Sequence, residues 1–165
     1  MNNTKRLTTL SITVAVAMVL SYLESQIPVF VAIPGIKIGL ANIAVIFSLY
    51  KLGEREAIII SGVRVALISL LFGNTATFIY SIAGAALSLV LMIILKKLTP
   101  LHAVAISVVG GVMHNVAQIA VAGIMLRTDV LIYYLPFLLL SGIIAGIVVG
   151  VAGAMLVERI KIDVK

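Results

Sequence analysis

The chain has 165 residues, of which 62% are hydrophobic and 11% charged, against about half and about a quarter in an ordinary soluble domain. A water-soluble fold of this size is excluded because it could not hide that much apolar surface, whereas lipid can replace the missing polar coat. The formal net charge of +6 therefore reads as basic loops beside a bilayer rather than as a nucleic-acid surface, and the absence of cysteine excludes disulfides, cysteine-ligated zinc, iron–sulfur clusters and thiol nucleophiles.

A membrane span needs roughly 20 mostly apolar residues, and charge and turn signals mark six such segments. The first covers residues 7–23. It follows Lys5 and Arg6 and meets Glu24 without a small-residue cleavage site, so it reads as a retained helix rather than a removed signal. A loop with Pro28, Pro34 and Gly35 leads to a short second helix, 38–50. The charged turn 51–56 precedes a third helix, 57–72, and the uncharged turn 73–77 a fourth, 78–95. Lys96, Lys97 and Pro100 end the fourth. The fifth runs over 101–126, and the turn 127–129 leads to the sixth, 130–157. This is an all-α integral membrane bundle of six transmembrane helices, a single domain over 1–165 with no internal repeat.

Lys and Arg give the expected orientation. Lys5, Arg6, Lys51, Arg55, Lys96, Lys97, Arg159, Lys161 and Lys165 fall on one side, and only Lys37 and Arg127 on the other. Both termini are thus expected in the cytoplasm of a multi-pass cell-membrane protein. Tyr22, Tyr50, Tyr80, Tyr133 and Tyr134 all fall near helix ends, where amphipathic rings favour the interface.

The remaining cation, Arg64, sits mid-helix in AIIISGVRVALISLLF. Its charge cannot be shed, and no acid falls inside any expected span. It marks either a cavity that receives an anionic group or a structural arginine bonded to carbonyls and amides. His114, Asn115 and Gln118 form a second polar group in GGVMHNVAQIAVAG. His114 and Gln118 are four apart and share a helix face, facing either a ligand or a neighbouring helix. A lone histidine without nearby carboxylates is a poor metal site. Lys37 and Asn42, with Glu24, lie toward the outer side, where residues 25–37 could fold over a cavity or form an ordinary interfacial loop. Asn74 could line the same mouth. Ser11, Thr13, Ala15, Ala17 and Ser21 place small side chains on the first helix. They suit close packing against either another membrane subunit or the chain itself.

Asp129 and Asp163 are the only aspartates and fall on opposite sides, so a prenyl diphosphate synthase's magnesium-binding aspartate cluster is missing. There is no P-loop. The chain by itself is not expected to be an enzyme.

The stretches PGIKIGLANIAVIFSLY, SGVRVALISLLFGNTATF, SIAGAALS and ISVVGGVMHNVAQ resemble a membrane family carrying two labels, heptaprenyl diphosphate synthase component I and Gx transporter. The resemblance runs from Pro34 to Gly123. In size and helix layout the chain is also similar to the substrate-binding S components of energy-coupling-factor vitamin transporters. Together these imply a membrane subunit that binds a small, partly apolar anionic ligand. Arg64 would hold the anion, and His114, Asn115, Gln118 and Asn42 would orient the ligand. Its partners would be a membrane coupling subunit and cytoplasmic ATPases, with no cofactor of its own. Some members of the family imply a role in flavin- and quinone-linked electron transfer, with a non-covalent flavin or quinone as cofactor. The synthase label implies an accessory subunit of prenyl diphosphate synthesis.

Overall fold

The computed structural model describes residues 3–26 and 39–160. Six α-helices follow one another: α1 (Asn3–Gln26), α2 (Asn42–Lys51), α3 (Glu54–Phe72), α4 (Thr75–Leu98), α5 (Ala103–Leu126) and α6 (Leu135–Arg159). A 3-10 turn over Val130–Tyr134 leads into α6, whose first turn carries Pro136, a residue that needs no amide hydrogen bond there.

Four segments are long and apolar enough to cross a membrane: Thr4–Glu24, Phe78–Leu98, Ala103–Leu126 and Val130–Arg159. They expose large apolar side chains, among them Val19, Leu98, Ile124 and Phe137, as lipid contact requires. The second expected span differs. α2 has 10 residues, about 15 Å at 1.5 Å per residue, or about half the hydrocarbon thickness. α3 has 19 residues, but its first turn holds Glu54, Arg55 and Glu56 and its middle holds Arg64. The charges expected in a turn before α3 thus belong to the helix. Acids there complement the positive end of its dipole.

Shortness suits α2 to the interior. Ala44 to Leu49 are all buried, and α2 touches α1, α3 and α6. Neighbours pack α3 on α4, α4 on α5 and α5 on α6, so α2 to α6 close a ring. α1 packs outside it against α2 and α3. The main apolar cluster joins Val45, Ile46 and Leu49 of α2 to Leu89 and Met92 of α4, Ile106 of α5 and Val149 of α6. A smaller one joins Ala17 of α1 to Ala44, Leu52 and Ile60. Thr13 and Ala17 are buried within the chain, whereas Ser11 and Ala15 stay exposed. The small-residue face of α1 is therefore divided, and Thr13 and Ala17 are not open to a partner.

The contact between α5 and α6 is built on glycine. Gly142, Gly146 and Gly150 recur at spacing four along α6. A Cβ added at Gly146 would stand 2.5 Å from Val108 Cα, and one at Gly150 would stand 2.7 Å from Val104 Cα. Lipid supplies no hydrophobic drive between helices, so close backbone approach must supply the attraction.

The basic end is tied by charge. Arg6 pairs with Glu56, and Lys97 with Glu54 at 2.8 Å, which fastens α1 and α4 to the first turn of α3. Lys96 donates to the Leu49 carbonyl near the end of α2, where a cation suits the helix dipole. It also lies 4.9 Å from the centre of the Tyr50 ring.

Gly146→Ala is expected to lower the thermal midpoint of the detergent-purified protein, at a cost of about 1–3 kcal/mol from overpacking. Gly62→Ala, where an added Cβ meets nothing within 4 Å, is the control and is expected to melt like the wild type. Equal melting of both variants would show that the seam is not tight.

Candidate functional site

The ring of helices encloses a cavity of about 320 Å³ to which all six contribute. That volume lies at the lower end of the roughly 300–1,000 Å³ typical of small-molecule sites. α1 brings Ser21 and Glu24, and α2 brings Asn42. α3 brings Ser61, Arg64 and Ser69, and α4 brings Ser81 and Ser88. His114, Asn115 and Gln118 come from α5, and Gly142 and Gly146 from α6. Val45, Ile46, Leu89, Met92 and Val149 belong to both the cavity wall and the main apolar cluster. The space is thus polar on part of its wall and apolar on the rest.

Arg64 is the dominant group. Its Nε is buried and has no hydrogen-bond partner among the described residues. A guanidinium is a rigid fork of five N–H donors that matches a carboxylate or phosphate. Glu24, the last acid of α1, also stands on the wall and is the acidic charge acting on Arg64. The sequence placed no acid inside a span. The packing of α1 against α3 nevertheless brings this terminal acid to the chamber that a mid-helix arginine reaches. No ion pair joins the two; the pairs among the described residues are those of Glu54 and Glu56. Glu24 instead accepts the Gly39 N–H at 2.5 Å. That bond fastens the last turns of α1 to the approach to α2, where Gly39 takes a positive φ of 74°.

Asn115 has a second job. Its amide donates to the Leu138 carbonyl at 2.7 Å and lies 3.4 Å from Ser141 Oγ. This fixes α5 to the second turn of α6 and leaves only its carbonyl oxygen for the cavity. His114 and Gln118 cover Gly84 of α4: a Cβ added there would come within 2.9 Å of His114 Cε1 and Gln118 Cγ. The missing side chain at position 84 is what lets this pair lie flat against α4.

Arg64, His114, Asn115, Gln118 and Asn42 thus share one chamber. Asn74 does not line it and stands exposed between α3 and α4. Lys37 and residues 27–38 lie outside the described residues. Ser21 was expected only as a packing position on the first helix, and Ser61, Ser69, Ser81 and Ser88 were missed by sequence reasoning, although their spacing carried a signal. Ser61 and Ser69 are eight apart, and Ser81 and Ser88 seven apart. Each interval is about two helical turns, which sets a polar stripe on one face of an apolar helix.

Among the described residues no cluster of three or more His, Cys, Asp or Glu could hold a metal ion. A family model described as heptaprenyl diphosphate synthase component I matches residues 13–156. The chain belongs to that family. The match takes in the second half of α1 and most of α6 as well as the Pro34–Gly123 stretch, so it reaches every helix that lines the cavity. Neither the curated proteins nor the solved structures gave a match. The family's description is that of a synthase component, and the cavity gives this member a chamber of small-molecule size.

Asn115→Leu keeps the bulk but removes the clamp on Leu138. It is expected to destabilise the purified protein by about 1–3 kcal/mol, read as a lower thermal midpoint. An unchanged midpoint would show that the bond is not needed to hold α5 on α6.

Proposed function

We propose that this protein is the ligand-capturing membrane subunit of a transport system for a small, partly apolar molecule with an anionic group. The observation that carries this is the buried, unpartnered Nε of Arg64 on the wall of a chamber shared with Asn42, His114 and Gln118. A buried guanidinium that makes no ion pair is costly, and a ligand's carboxylate or phosphate offsets that cost. Asn42, Gln118 and the serine hydroxyls orient the ligand, while Leu89, Met92 and Val149 receive its apolar part. The chain is not a catalyst in this reading. A coupling membrane protein and ATPases would supply the motion, as for S components.

The six segments cross the cell membrane in this reading, with α2 and its approach forming the incomplete second span and both termini in the cytoplasm. The basic residues at the α1 start and at the α3 and α4 charged turns support this. Glu24, Asn42 and Ser69 lie toward the opposite helix ends, so the ligand enters from outside.

A second reading follows from the family's description: an accessory subunit that handles a prenyl diphosphate. Arg64 would suit a diphosphate equally well. A chamber of about 320 Å³ has room for a head group and a short apolar stub, but not for a long polyprenyl chain. This reading predicts that the protein changes the rate or product length of a soluble prenyl synthase.

The first test is Arg64→Ala. The variant is expected to insert and fold yet to lose the small molecule that mass spectrometry finds in extracts of the purified wild type. Equal recovery from both proteins would overturn the site. Orientation is tested with single cysteines, since the chain has none. An impermeant maleimide should label Asp129→Cys in intact cells, and Thr4→Cys only after permeabilisation. The opposite pattern would invert the topology.

A further inference from the structure

We propose that the ligand is a zwitterion, a compact molecule of the amino-acid class that carries an ammonium group and a carboxylate beside an apolar side chain. The inference deepens the anionic-ligand reading and rests on it. Glu24 and Arg64 both line the chamber, and no other Asp, Glu, Lys or Arg among the described residues does. The two fixed charges cancel. A ligand with only a negative charge would gain from Arg64 and be repelled by Glu24, and neither effect is screened well away from bulk water. The two side chains are not joined to each other as an ion pair. Each has binding capacity left. The Arg64 Nε is buried and unpartnered. Glu24 spends one carboxylate oxygen on Gly39, and an ionised carboxylate has two oxygens with about four lone-pair sites.

A zwitterion satisfies both ends together. Its carboxylate takes the guanidinium, and its ammonium donates to the other oxygen of Glu24. The apolar remainder then faces Leu89, Met92 and Val149, which the chamber shares with the main apolar cluster. A volume of about 320 Å³ suits a molecule of this size. Its net charge of zero also leaves the chamber neutral when filled, which lowers the cost of holding it in a low-dielectric surrounding.

The test is equilibrium binding to the full chain in detergent, with radiolabelled L-leucine and L-phenylalanine as probes. The competitors lack one charge each: isocaproate and phenylpropionate lack the amine, and isoamylamine and phenethylamine lack the acid. At least one amino acid is expected to bind, and its singly charged analogues about tenfold more weakly or worse, the loss expected when a charged hydrogen bond is removed. Glu24→Gln, which keeps an oxygen to accept the Gly39 N–H, is expected to weaken the amino acid by a similar factor while isocaproate or phenylpropionate binds no worse. If the acid alone binds as tightly as the amino acid, the zwitterion proposal fails and the anionic reading stands. If binding is unchanged in Arg64→Gln, the anionic reading itself fails. No binding of either amino acid overturns the proposal.

Discussion

Helices in lipid gain nothing by turning a leucine from lipid to a neighbouring leucine, so this bundle depends on how closely its backbones can approach. The seam between α5 and α6 meets that demand with Gly142, Gly146 and Gly150 set against Gly111, Val108 and Val104. The α5 side of the chamber is referred to this seam. Asn115 is held on it by the Leu138 carbonyl, and His114, one residue earlier, is thereby turned toward α4. Gly153 continues the stripe toward α2, where a Cβ would meet Ile46.

The second constraint is charge. The bundle sorts its ionisable groups into two regimes. At the basic end several are paired: Arg6 with Glu56, Lys97 with Glu54, and Lys96 with the end of α2. These contacts hold α1, α2, α3 and α4 together where the chain is richest in charge. In the chamber the pairing stops. Arg64 and Glu24 share a wall without meeting, and the Arg64 Nε is left without a partner. Leaving the arginine unpaired beside serines and amides, in a space of small-molecule size, is a cost that the proposed ligand would offset.

Much of this was legible in the chain itself. Composition required lipid, and charge and proline placed six helices close to where they lie. Arg64 and the His114–Asn115–Gln118 group stood out because polar side chains are rare in apolar helices. Other features were written in the sequence as spacing: the glycines of α6 and the serines of α3 and α4 recur at about one or two helical turns. Their face is defined only relative to a neighbour, so periodicity alone left their role open.

What the sequence by itself determined is what a single helix needs: apolar length to suit lipid, basic residues beside its ends, and polar groups marked by their cost in hydrocarbon. The tertiary structure alone decided which of those polar groups meet. The residues that share the chamber come from all six helices and are as far apart in sequence as Ser21 and Val149. Glu24 joins Arg64 only because α1 packs on α3. Asn74 is left out, exposed between α3 and α4, while Asn115 is divided between site and seam. α2 is a short helix buried among α1, α3 and α6, a placement its own apolar run does not specify. Helix packing is set by side-chain shape on facing surfaces, and a linear pattern does not specify which surface will face which.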